Sequence, residues 1–303
     1  MGKTEEKKGK FRMKAGRAKS TLIIVAVLAV YVLSVHFNIR LVYTLITALV
    51  TARATYELIH AVGGRSKVLF TVACLFSACY VFTVGYHVTV PHIPVVISFY
   101  VLLLLILTVA LNQSIQFIHT VMAIFGSVCV TYSLSIFIRL NDLPLLNDRF
   151  THLEGLYLFW IAFICSWVTD AFAFIVGSKC GRHKMCKNIS PKKSWEGAVG
   201  GVLITAAINV IVLVGYTHIA TNVMGYAYFM LESNIKYLYV FLISCALSIV
   251  SMFGDLAASV LKRNVGIKDY SNLLPGHGGI MDRFDSFTFV LPVLWGIYSF
   301  IYG

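Results

Sequence analysis

Asp255, Asp282 and Asp285, with Lys262, Arg263, Lys268, His277 and Arg283 among them, are the densest set of reactive side chains in this sequence. All but Asp255 fall in Ser259–Asp285, the polar connection between the last two apolar runs. Pro275, Gly276, Gly278 and Gly279 let the backbone turn tightly there and approach a ligand closely. The four bases can meet phosphate oxygens, and the aspartates, Asp269 included, can hold a hard cation or orient those bases. A solvated, positively charged membrane loop would explain the bases alone. It does not explain the glycines, the histidine and the ordered acids together, which point to metal-assisted phosphate chemistry.

A second set lies upstream. Asp170 stands seven residues before Gly177 at the end of the sixth apolar run, and Asp255 seven before Lys262 at the end of the eighth. At about 1.5 Å per residue, each carboxylate is roughly 10 Å inside the loop entrance. That depth is costly unless the acid is paired, solvated or bound to a cation. Lys192 and Lys193 precede Ser194, a candidate N-cap for a helix starting at Trp195, where backbone N–H groups favour an anion. Arg53 and Glu57, one turn apart in the second run, can pair as a structural bridge or help to line a polar cavity.

The pattern Ser259-x-Leu-Lys-Arg-x4-Lys-Asp-x-Ser-x2-Leu-Pro-x-His-Gly-Gly-Ile-x-Asp-Arg-Phe-Asp285 resembles, without a gap, the signature of phosphatidate cytidylyltransferases (CDP-diacylglycerol synthases). The block Ile189-Ser-Pro-Lys-Lys-Ser-Trp-Glu-Gly197 resembles a second block of the same family. The resemblance covers the C-terminal half in detail and the N-terminal half only as topology. It implies transfer of a cytidylyl group from CTP to phosphatidic acid with Mg²⁺, leaving room for a second cation, and giving CDP-diacylglycerol and pyrophosphate.

On that reading Asp255 and Asp282 hold the metal, with Asp285 or Asp170 as a further ligand or supporting partner. Lys262, Arg263, Lys268, Arg283, Lys192 and Lys193 clamp phosphates, with Ser194 beside them. His277, Gly278 and Gly279 shape the nucleotide site, and Asp269 orients Lys268 or Arg263. No residue stands out as a reader of the cytosine base. A CTP-dependent lipid kinase, releasing CDP, is the neighbouring alternative. A cation or proton transporter built on Asp170, Asp255 and the Arg53–Glu57 pair is the alternative of another class, and a scaffold without chemistry is the last.

Nine apolar runs must position these groups: Thr21–Phe37, Leu41–Val62, Val68–Val88, Ile93–Leu111, Phe117–Ile138, Leu156–Val176, Ala198–Tyr216, Tyr237–Leu261 and Phe287–Tyr302. About 20 apolar residues cross a bilayer as helix, so the expected fold is an all-α polytopic membrane protein of about nine spans. Its domains are a basic tail, 1–20, expected to be disordered, and one integral-membrane domain, 21–303. Composition agrees: 58% of residues are hydrophobic and 13% charged, where about a quarter charged is usual for soluble domains.

The net charge of +12 could suggest nucleic acid, but its distribution excludes that. With the N-terminus inside, inner segments hold twenty Lys and Arg, and outer segments hold four: Arg40, Arg139, Arg149 and Lys236. The bias places the N-terminus and the polar loops on the cytoplasmic (or matrix) face. The seven cysteines lie mostly within apolar runs and read as small hydrophobes; Cys180 and Cys186 around His183 have poor zinc spacing. Gly197 and Gly201 form a small-residue step for close helix packing, within the chain or in a homodimer.

Overall fold

Each apolar run becomes a helix because a backbone in lipid must satisfy its own polar groups. The computed structural model describes residues 2–86, 93–146, 152–186, 189–225 and 234–302. Arg149 and Lys187, counted above, the end of the third expected span at Val88, and the tail side chains from Lys3 to Lys14 and of Arg17 lie outside the described residues. The helices are α1 (Gly2–His36), α2 (Arg40–Ala61), α3 (Lys67–Gly85), α4 (Ile93–Ala110) and α5 (Phe117–Asn141). They continue as α6 (Leu153–Cys180), α7 (Trp195–Val223), α8 (Ile235–Asn264) and α9 (Phe287–Tyr302).

Seven of the described helical segments are long and apolar enough to cross a membrane, the last being Met281–Ile301, which joins a short helical turn to α9. The two expected spans that fall short are α4, whose apolar part is brief, and α2. The 22 residues of α2 include Arg53, Glu57 and four buried threonines at helical spacing, Thr44, Thr47, Thr51 and Thr55. Two expectations are corrected. The tail is not disordered: α1 runs unbroken from Gly2, through a stretch rich in Lys, Glu, Arg and Ala that favours helix. The loop after α6 contains a two-stranded antiparallel hairpin, β1 (Lys184–Cys186) and β2 (Ser190–Ser194), with Trp195 N–H bonded to the His183 carbonyl.

The chain divides into two units. The first comprises Met1–Ser135 and Asn264–Phe284, so it takes in the loop of the long signature. Its core includes Ile59, Leu69, Ala73, Tyr100 and Leu104, with Tyr100 stacked on Phe76 at 3.7 Å between ring centroids. The polar face of α2 is buried here. Thr55 bonds Ser77 at 3.1 Å, and a Cβ on Gly126 would stand 2.9 Å from the Thr55 Cα, so glycine lets the π-turn of α5 (Phe125–Val130) lie against α2.

The second unit comprises Ile136–Arg263 and Asp285–Gly303. Phe287 is fully buried among Phe137, Phe163 and Trp167. The small-residue step packs within the chain: Cβ atoms on Gly197 and Gly201 would stand 2.5 Å and 2.9 Å from the α6 carbonyls of Ala173 and Thr169. That face is therefore occupied by α6. A polar seam joins α6, α7 and α8, with Thr169 Oγ1 bonded to Thr205 Oγ1 (3.1 Å) and Ser248 Oγ (3.0 Å), and Asn209 Nδ2 donating to Cys165 Sγ (3.2 Å).

Candidate active site

Asp170 and Asp255 meet in the second unit because α6 and α8 each carry an acid about two and a half turns from the helix end. Neither is sealed in apolar surroundings; the side chains are 39% and 25% exposed. Between them stands Lys193, delivered by the end of β2, with Nζ 2.5 Å from Asp255 Oδ2 and 3.7 Å from Asp170 Oδ1. Burial of Lys193 works against its charge, but Asp255 and Asp170 outweigh that and hold its pKa above the ordinary lysine value. Lys262, buried at the end of α8, faces Asp285 Oδ2 at 3.8 Å. A cleft of about 270 Å³ opens on Asp170, Asp255, Lys192, Lys193, Ser190 and Ser194. It has room for a polyphosphate, being just below the size range of small-molecule pockets.

Ser194 caps α7 as expected, its Oγ accepting the Gly197 N–H at 3.2 Å. The cap fixes the direction in which Lys192 and Lys193 leave the helix start. Glu196 turns back to the hairpin and accepts from the His183 N–H at 3.1 Å, with His183 Nδ1 at 2.6 Å. The strand, the cap and this clamp convert an expected charged loop into a fixed shelf for two lysines.

The first unit holds Lys268, His277, Gly278, Gly279, Asp282 and Arg283. Leu274–His277 is a turn closed by the His277 N–H to Leu274 carbonyl bond (2.8 Å), with Pro275 second and Gly276 third at φ +78°, a type II pattern. Asp282 closes the next segment, its Oδ2 accepting from the Tyr270 and Gly279 N–H groups, both at 2.8 Å. A Cβ on Gly278, also at φ +78°, would stand 2.7 Å from that oxygen. Asp282 thus has a loop-forming task that spacing alone does not show. Lys268, Asp269 and Arg263 are exposed, and among the described residues Lys268 and Asp269 form no ion pair with each other.

Sequence reasoning missed the anchor of this loop. Glu57 pairs with Arg53 (3.2 Å), as anticipated, but is only 1% exposed and does more. Its Oε1 accepts from Ser271 Oγ (2.7 Å) and its Oε2 from the Met281 N–H (2.9 Å). A Cβ on Gly279 would overlap the same carboxylate. An acid within an apolar run was the signal; its loop partners carried none.

The resemblance implies a metal, and the acids offer it oxygen donors. Asp170, Asp255 and Asp285 are hard oxygen donors, each beside an ammonium group, Lys193 or Lys262. Among the described residues no three acid, histidine or cysteine side chains are gathered to ligate one ion unaided. Carboxylate oxygens are the donor type that Mg²⁺ takes, ordinarily one or two of them completed by water and substrate phosphates.

Fold and site define a class: an α-helical membrane protein that presents carboxylates and lysines at the ends of apolar helices, equipped for phosphate chemistry. Comparison with known proteins then narrows it. Residues 15–301 match the cytidylyltransferase family, and the chain belongs to that family. It is similar to proteins named phosphatidate cytidylyltransferase from Staphylococcus haemolyticus (39% identity, 48% of this chain, 50% of the relative) and Bacillus subtilis (37%, 65% of each). A third, from Rickettsia bellii, is 32% identical over 66% of this chain and 79% of its own. The matched part thus spans half the length of the first of these relatives and about two thirds of the second.

Proposed function

We propose that this protein transfers the cytidylyl group of CTP to phosphatidic acid, releasing pyrophosphate and giving CDP-diacylglycerol for phospholipid synthesis. The observation that carries the reading is the Asp170–Lys193–Asp255 cluster at the ends of two apolar helices, beside a capped helix start that presents Lys192. A lipid phosphate oxygen attacks the α-phosphorus, and the bond from that phosphorus to the bridging oxygen breaks as pyrophosphate leaves. The lipid phosphate is already nucleophilic, so the residues' work is in-line positioning and charge neutralisation.

Lys192, Lys193, Lys262, Arg263, Lys268 and Arg283 neutralise the phosphates. Asp255, Asp170, Asp285 and Asp282 are the residues that would hold Mg²⁺, which would supply charge neutralisation at the phosphate oxygens. His277 and the Gly278–Gly279 turn shape the nucleotide side. Nine spans, counting α2 and α4, with the N-terminus and the site on the cytoplasmic or matrix face, agree with the distribution of Lys and Arg.

The test is pyrophosphate release by purified, detergent-solubilised protein given CTP, Mg²⁺ and phosphatidic acid, each omitted in turn. Release that needs all three, with a CDP-lipid product, is the expected result. CDP as product would mean a kinase, and folded protein yielding neither would end the enzyme reading. Asp255→Asn should abolish turnover while the protein stays folded, as judged by size-exclusion chromatography and thermal unfolding; normal turnover would remove Asp255 from the site.

A further inference from the structure

Ser20, on α1, lies outside both sequence blocks and is fully buried. Its Oγ stands 3.0 Å from the Pro275 carbonyl oxygen, 3.2 Å from that of Gly16 and 2.7 Å from His277 Nδ1. Gly16, one turn earlier, permits the approach, since a Cβ there would stand 3.2 Å from the Pro275 Cβ. A serine hydroxyl has one proton to give and two lone pairs. The Gly16 oxygen already takes the helical Ser20 N–H, so the hydroxyl proton goes to the nearer Pro275 oxygen, which can only accept, and the short contact to Nδ1 then has the ring donating. The opposite arrangement would set the Pro275 carbonyl oxygen against a hydroxyl oxygen at 3.0 Å with no proton between them.

We infer that Ser20 is a positioning residue that fixes His277 as the Nδ1–H tautomer, offering Nε2 as an acceptor to an N–H or O–H donor of the nucleotide. The assignment of the donor to a nucleotide rests on the proposed cytidylyl transfer; the tautomer does not. The hydroxyl also ties the ring to the Pro275 turn, and a hydrogen-bonded partner on one ring nitrogen is what sets the role of the other. On a cytidine nucleotide the eligible donors are the exocyclic amine and the ribose hydroxyls. Through Ser20 the first helix becomes part of the nucleotide side of the site.

The experiment uses full-length protein, ¹⁵N-labelled at histidine, in lipid nanodiscs at mildly alkaline pH. His277 signals are identified by difference from His277→Gln. The expected wild-type spectrum has a protonated Nδ1 and a bare Nε2. Ser20→Ala should mix the two tautomers and lower kcat/KM for CTP on the order of tenfold, while Ser20→Thr, which keeps the hydroxyl, should recover most of both. A loss with CTP that disappears with dCTP would assign the donor to the 2′-hydroxyl, and a loss that persists would assign it to the amine or the 3′-hydroxyl.

A protonated Nε2 in the wild type overturns the inference, as does an unchanged tautomer in Ser20→Ala. Unchanged kcat/KM in a variant with altered tautomer overturns the link to substrate. The wild-type spectrum decides the tautomer even where Ser20→Ala fails to fold. Should the protein not turn over CTP at all, the nucleotide reading fails separately, and the spectra still decide what Ser20 does.

Discussion

Glu57 holds two points of the signature loop with one carboxylate, and a glutamine in its place would offer one oxygen where two are used. Glu57→Gln should cost about 1–3 kcal/mol, read as a lower thermal midpoint and weaker turnover. Gly279→Ala should be worse, because the added carbon has no room beside Glu57, whereas Gly215→Ala, with open space around it, should be nearly silent in the same assays. Lys193 supplies a pH prediction. Its pKa is raised on folding, so its contribution to stability is complete below the ordinary lysine range and is lost only as pH rises through the elevated value. The stabilising difference in thermal midpoint between wild type and Lys193→Met should therefore still be present at about pH 9 and fall away only above the ordinary lysine range. The acids, bases and glycines of the loop were legible because they are contiguous and of telling types. The hold of Glu57 was not, since its partners are a serine and a backbone N–H that lie 214 and 224 residues away.

At the scale of elements, α7 shows how one side chain can serve several neighbours. Ser194 caps the helix, and its Oγ also lies where Cβ atoms on Gly177 and Gly181 would fall, at 2.8 Å and 2.5 Å. Ser194→Ala should cost about 1 kcal/mol for the lost cap. Ser194→Thr keeps the cap but brings a methyl group to the tight contact with α6, so it should destabilise at least as much; thermal unfolding of the two variants compares them. The cap and the glycine step were readable from sequence, because each follows from local rules of helix ends and packing. The hairpin was not: strands of three and five residues, with Pro191 and paired lysines, show no period to detect. The polar side of α2 was visible only as Arg53 and Glu57, since threonines spaced for a helix do not announce that they face inward.

For the molecule as a whole, the sequence's nine apolar runs all returned as helices, and seven have the length and apolarity of a span. Charge placement makes a testable statement about orientation. With the other six cysteines replaced by serine, exposed Cys180 at the end of α6 should react with a membrane-impermeant thiol reagent from the cytoplasmic (or matrix) side and be protected from the other. Reaction from the opposite side alone would invert the topology. The division into units was not legible, because it depends on which distant segments pack together: the first unit is built from the beginning of the chain and from a short segment between α8 and α9. Glu57 waits for Met281 across 224 residues. At about 5–20 residues per second, a ribosome needs roughly 10–45 s to make the intervening chain. During synthesis, then, the buried Glu57 carboxylate of α2 must stay tolerable without its loop, and the Arg53 pair is the partner available from the start. The nascent protein becomes whole at this point only when nearly all of it has been made, so a chain stopped before Met281 would lack the last clasp on its own loop.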